Sequence, residues 1–509
     1  MWVLSRVMLA FLGLLVAGAI GGCSSVDRAP AAAHEEPFAA PEAYNMFKVG
    51  FSAIVERYID PVSAEEIALA GLGGLAVIDP ALSVGKARDE VQVDRSGRLI
   101  LSLPTPKARD VDGWARTTVQ VWRGARDYSA RLAATPQEDV YEAVFDAAVK
   151  VLGPHARYAT PAEARRTRLR RDGYLGIGVG IVLNDDQEPE VREVVGRGPA
   201  ERAGLRVGDV LVQVDGRPVA GLSVPEVEGV LGESVDGRVR LTVRRLRATL
   251  RFVVTRRYLI PETVSKRYQD GILYLAVSRF NQGTADELAS TLEQFSTPPA
   301  GSLRGVVLDL RGNPGGLLQQ AVKVADLFLL DGPVLATRGR HPDSSQDYLA
   351  GADDVAHGVP LVILVDHDTA SAAEMAAAAL QDRGRAVVVG SSSYGKGTVQ
   401  TVIPLPNGGD LGFTWSRVIV PSGIDLRGRG VHPLVCTSGL YVADPQTIDR
   451  LVSEAERGAG EENAACPAER REGPVDVEVA RRLFDQPAGF AALFGRESVV
   501  AQVPAGATP

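Results

Sequence analysis

Histidine and cysteine are scarce in this chain, six and three among 509 residues. The histidines are scattered without a His-x-x-x-His pair and no Cys-x-x-Cys occurs, so the spacing offers no metal site. No cofactor is expected. A large charge excess is also missing: 55 basic against 63 acidic residues leave a net charge of −8. That balance carries no electrostatic footprint for nucleic acid. Hydrophobic content of 45% and charged content of 23% are those of an ordinary globular protein, and the length allows about three domains.

What is present begins at the N-terminus. "MWVLSRVMLAFLGLLVAGAIGGC" has one positive residue, Arg6, then an apolar stretch too short and too glycine-rich for a membrane span. Small residues precede Cys23, and the segment resembles a bacterial lipoprotein signal, residues 1–22, with lipid attached to Cys23. Ser24 rather than Asp follows, which by the same resemblance points to an outer-membrane destination facing the periplasm. Export leaves Cys436 and Cys466 as an expected disulfide in an oxidising compartment, closing a loop of about thirty residues.

Residues 23–43, rich in Pro, Ala and Glu, read as a flexible tether. From residue 44 to 172 the pattern is mainly helical, with a polar, less periodic piece near Lys86 to Asp112. Thr160, Pro161 and Glu163 open an arginine-rich helix whose basic face is expected to be solvated. At Gly173 the character changes to short strands with glycine turns. From Ile272 to Val420 strands and helices alternate, which argues an α/β core. From about Thr437 a C-terminal extension holds the second cysteine, a short helical piece and a frayed tail.

Ser371 stands where a branched apolar strand, "PLVILVD", meets the alanine-rich helix "SAAEMAAAALQD". Ser371 and Glu374 have the spacing of a capping box. A helix N-terminus also favours negative charge developing on that hydroxyl. His367 is too near along the chain to serve as its base, and reads as a loop residue. Lys396, in "GSSSYGKGTVQ", is the alternative. Gly390 to Lys396 matches the first seven positions of a phosphate-binding loop, but Gly397 replaces the Ser or Thr that would hold Mg²⁺. The alternating β-branched run that follows excludes the required helix. A lysine packed among apolar groups can instead lose its proton and act as a base.

"DLRGNPGGLL" (309–318), "TASAAEMAAAALQD" and "YGKGTVQ", in this order after "YLGIGVGIVL…AGLRVGDVLVQVDG", resemble the C-terminal processing peptidases, or tail-specific proteases. Lys396 follows Ser371 by 25 positions and Gln400 follows Lys396 by four, as in that family. The resemblance covers about Phe47 to Pro433. It implies a multidomain α/β protein: an N-terminal helical region, a PDZ β-module over 173–258 and an α/β (crotonase-like) protease core over 259–436. It also implies Ser371 as nucleophile, Lys396 as general base and Gln400 as the residue positioning Lys396. The backbone N–H groups of Ala372 and of Gly316 or Gly315 would form the oxyanion hole. Tyr174, Leu175, Gly176 and Ile177 would form the loop binding a substrate's apolar C-terminal tail. Expected partners are such substrates, the membrane through the lipid anchor, and an adaptor lipoprotein.

Three features depart from the pattern. Ala373 stands where a hydroxyl is usual, Gly312 where a polar residue is common, and residues 85–139 read as an insertion of unknown purpose. Two other readings stay open at this level, a PDZ adaptor on a silent protease core and an envelope scaffold.

Overall fold

A computed structural model describes residues 40–196, 198–232, 237–296, 303–351, 353–457, 466–470, 473–486 and 490. The signal segment, Cys23, most of the tether and the final tail lie outside these residues.

The N-terminal region is built around aromatic side chains. Helix Ala40–Arg57 presents Phe47 and Phe51 to Trp122 of helix Val111–Arg126 and to Tyr141 and Phe145 of helix Gln137–Val149. Ring centroids lie 5.6 to 6.4 Å apart, the range of favourable offset and edge contacts. The polar piece after Lys86 belongs to an antiparallel three-stranded sheet, Leu82–Ala87, Glu90–Arg95 and Arg98–Pro104. Val91 and Val93 alternate inward while charged neighbours face water. Ser96 and Gly97, both with positive φ, make the tight turn that pairs Arg95 with Arg98. This sheet, with helix Val111–Arg126 and the short Ala130–Ala134 helix, occupies the stretch read as an insertion.

The PDZ module is a twisted antiparallel sheet in the order 248–255, 238–245, 210–214, 189–194, 179–183. Strand Val179–Leu183 is therefore an edge, and helix Val224–Gly232 lies beside it. Strand Tyr174–Gly176 does not join this sheet. It pairs with Arg257–Leu259, so the entering and leaving chains of the module are zipped together.

The α/β core is a six-stranded sheet ordered 264–269, 272–277, 305–309, 361–365, 386–390, 435–436, parallel apart from its first hairpin. Fully apolar runs such as Leu361–Val365 are what a parallel strand covered on both faces requires. One face packs against helices 284–296, 318–326 and 372–382, burying Leu288, Val324 and Ala376 among others. The other face is covered by the C-terminal extension. Helices Pro445–Arg457 and Val475–Asp485 set Ile448, Val452, Leu483 and Phe484 against Val307, Val362 and Val387. The extension is thus the third layer of the core. A second sheet, ordered 346–349, 333–338, 410–419, 398–404, abuts it, and Arg157–Ala159 adds to strand Asp410–Ile419.

Candidate active site

Three adjacent parallel strands end in the loops that build the site, the usual place for a functional crevice in an open α/β sheet. Strand Gly305–Asp309 leads to residues 310–317, strand Leu361–Val365 to 366–371, and strand Ala386–Gly390 to 391–397. Buried Asp366 ties the first two together. Its Oδ1 accepts from the N–H of Gly312 at 2.9 Å and of Thr369 at 3.0 Å, and the Thr369 hydroxyl donates to the Leu310 carbonyl at 2.9 Å.

Ser371 follows this knot with φ +55° and ψ −120°. A non-glycine residue in that region is strained and persists only where its surroundings over-determine it. Here they do. The Ser371 N–H donates to Glu374 Oε2 at 2.7 Å, and the helix Ala372–Asp382 starts directly behind.

Glu374 is completely buried, and its carboxylate is satisfied by donors from the neighbouring loop. Ser393 Oγ donates at 2.6 Å, Gly395 N–H at 2.6 Å and Lys396 N–H at 3.1 Å. Sequence alone identifies Glu374 as half of a capping box. Its second task, drawing the lysine loop onto the serine helix, exists only once the strands are side by side.

Lys396 is half-buried, and its ammonium makes no hydrogen bond or ion pair among the described residues. Burial depresses its pKa, Arg157 depresses it further, and Glu374 acts in the opposite sense. Arg157 arrives on the short strand that pairs with Gly412, and His155 lies near enough that Lys396 helps lower its pKa. Neither residue has a signal in the sequence, because a strand addition more than 200 residues away along the chain brings them there. Gln400 is on the strand that follows. Its Nε2 donates to Thr398 Oγ1 at 3.0 Å and reaches Thr414 Oγ1 at 3.5 Å, rather than bonding the Lys396 ammonium. No helix follows Lys396, only strand Thr398–Pro404.

The glycines of "NPGG" face the serine. A Cβ on Gly315 would lie 2.6 Å from the Ala370 carbonyl oxygen and 2.8 Å from both the Ala372 nitrogen and Ser371 Cβ. Only a residue without a side chain fits, and φ of +93° requires glycine as well. The Gly315 N–H is taken by Asn313 Oδ1 at 2.8 Å. The N–H groups of Gly316 and Ala372 have no acceptor among the described residues. Of the two glycines left open by sequence, Gly316 is thus the one with a free donor.

His367 stays on the loop, its N–H bonded to the Glu469 carbonyl at 2.9 Å and its ring 5.8 Å from that of Tyr394. In the PDZ module, Tyr174 lies over Gly176, Leu175 is exposed, and Ile177 is buried with its carbonyl accepting from Ala200 N–H. Burial raises the Tyr174 pKa, and Glu193 and Glu228 raise it further, so two carboxylates border this loop. Cys436 and Cys466 are joined, with S–S of 2.06 Å and Cα–Cα of 5.7 Å.

Residues 271–435 match the model of peptidase family S41, and residues 190–245 match a PDZ domain model. The carboxy-terminal-processing protease of Bartonella bacilliformis is 34% identical over 286 residues, which are 55% of this chain and 66% of the relative. The carboxyl-terminal-processing protease of a Picosynechococcus species is 30% identical over 323 residues, 62% of this chain and 77% of the relative. Among solved structures, the photosystem II D1 C-terminal processing protease is similar over 77% of this chain and 92% of its own, with 24% identity and a TM-score of 0.39. By the family-model and sequence matches the chain belongs to the carboxyl-terminal-processing proteases of peptidase family S41, and it is a serine peptidase that carries a PDZ domain.

Proposed function

We propose that the protein is an exported, lipid-anchored endopeptidase that selects proteins by an apolar C-terminal tail and cleaves them with a Ser371/Lys396 dyad. The observation that carries this reading is the single buried carboxylate of Glu374, which binds the backbone of both Ser371 and Lys396. Neutral Lys396, favoured by its depressed pKa, takes the Ser371 proton as Oγ attacks the scissile carbonyl. Negative charge then develops on the carbonyl oxygen, and the free N–H groups of Gly316 and Ala372 are its donors. The leaving amine receives the proton from Lys396, and water attacks the acyl-enzyme in a second passage through the same groups. Gln400 acts from one step further out, holding the Thr398 and Thr414 hydroxyls that line the lysine strand.

Tail selection is assigned to the groove between edge strand Val179–Leu183 and helix Val224–Gly232, where an extended peptide adds a strand and its carboxylate meets the 174–177 loop. Glu193 and Glu228 at that loop disfavour acidic tails. The lipid anchor at Cys23, the periplasmic face of the outer membrane and an adaptor lipoprotein rest on the leader sequence and its resemblance.

The test uses protein beginning after Cys23, a disordered reporter ending in small apolar residues, and the same reporter ending in Asp-Asp. Fragments read by mass spectrometry should vanish with Ser371→Ala and with Lys396→Ala, and slow with the acidic tail. Equal cutting by Lys396→Ala would remove the dyad. Tail capture without cleavage by the parent protein would make it an adaptor. For the anchor, incorporation of labelled fatty acid into the full chain should be lost with Cys23→Ser.

A further inference from the structure

The C-terminal extension reaches the site itself. Cys466 is bonded to Cys436 at the end of the outermost parallel strand, where Gly390 pairs with Cys436. From that anchor, residues 466–470 run across the loops that precede the two members of the dyad. The Glu469 carbonyl accepts from the His367 N–H at 2.9 Å, four residues before Ser371, and from the Ser391 hydroxyl at 2.6 Å, five residues before Lys396. Ser391 Oγ in turn accepts from the Glu469 N–H at 3.2 Å. Ser392 Oγ donates to the Cys466 carbonyl at 2.7 Å, and Arg470 pairs with Asp368 at 2.5 Å. On the far side the Glu469 carboxylate accepts from Ser438 Oγ at 2.9 Å, Gly439 N–H at 2.8 Å and the Tyr441 hydroxyl.

We propose that the disulfide-anchored segment Cys466–Arg470 is a positioning strap, with Ser391 and Glu469 setting the separation between the Ser371 loop and the Lys396 loop. The proposal rests on the Ser/Lys reading above. Packing alone does not explain the pattern. Ser391 is fully buried, and its one hydroxyl donates to the carbonyl of Glu469 and accepts from the N–H of the same residue, while that carbonyl also holds the other loop through His367. Glu374 and the Tyr394 N–H to Thr369 carbonyl bond tie the two loops close to Ser371 and Lys396; the strap ties them where they leave strands Leu361–Val365 and Ala386–Gly390. Proton transfer between two side chains is sensitive to such spacing, and a displacement of about 1 Å can cost about a hundredfold in rate.

The experiment measures kcat and KM across pH for the parent protein, Ser391→Ala and Glu469→Ala, with thermal melting followed in parallel. Both variants should keep KM for the reporter within about twofold and lose about tenfold or more in kcat. The acid limb of the kcat/KM profile should also move, because the surroundings of Lys396 change. Unchanged kcat and pH profile with only a lower melting temperature would make the segment a structural stitch and overturn the proposal. If Ser391→Ala does not fold, Arg470→Ala, which releases the segment from Asp368 on the Ser371 loop, decides the question by the same readouts. Ser371→Ala and Lys396→Ala are the separate controls: undiminished cutting by either means that the dyad reading has failed, whatever the strap variants do.

Discussion

The carboxylate of Glu374 and the backbone of Lys396 are joined at 3.1 Å, although the helix of one and the loop of the other are contiguous only because their strands are neighbours in the sheet. The same carboxylate holds Ser371, Ser393 and Gly395. Replacing it with an amide turns one of the two acceptor atoms into a donor facing donors. Glu374→Gln should therefore lower stability by roughly 3 kcal/mol, the cost of leaving buried, charge-assisted bonds unmade. It should also lower kcat more than it raises KM, measured by thermal melting and steady-state cleavage.

Lys396 sets the pH dependence. Its folded-state pKa is depressed below the ordinary 10.5 by burial and by Arg157, and in the proposed dyad the neutral form is the working form. Activity should thus rise with pH through that depressed value, as read from kcat/KM of the free enzyme. The sign for stability follows from linkage. The unfolded chain binds a proton more readily than the folded one, so the Lys396 contribution improves as pH rises from the depressed value toward 10.5. Arg157→Gln removes a cation that depresses this pKa, and should shift the activity limb toward higher pH without abolishing cleavage.

Gly315 tests the proposed oxyanion donors by steric means. In Gly315→Ala the new methyl group would lie 2.8 Å from the Ala372 nitrogen, covering a donor that has no other acceptor. Loss of one such donor costs about 10²–10³-fold in kcat. The backbone strain at φ +93° should lower the melting temperature too, so single-turnover acylation of folded protein is the measurement that isolates the rate effect.

The PDZ groove is tested on the ligand. Amidating the C-terminus of the apolar-tailed reporter removes the charge that the 174–177 loop would hold. KM should then rise about tenfold or more, with kcat little changed. Equal KM for the acid and the amide would assign selection to something other than that loop.

The sequence by itself determined the α/β core and, through its resemblance to a known family, the PDZ module and the candidacy of Ser371 and Lys396. These depend on local signals, an apolar run ending in a cap and glycines at turns, and on motifs whose order and interval match the family the chain resembles. The meander from Leu82 to Pro104 was less legible, because its strands are short and charged on one face, and only pairing makes them a sheet. Tertiary structure decided the remainder. The role of Glu374, the approach of Arg157, the free N–H of Gly316 and the strap at Glu469 all join residues distant in sequence. The amide of Gln400 turns to Thr398 on its own strand and to Thr414 on the paired strand rather than to Lys396. No periodicity encodes such contacts. They arise because parallel strands place the ends of separate segments side by side, and buried polar groups there must find partners among whatever neighbours the topology supplies.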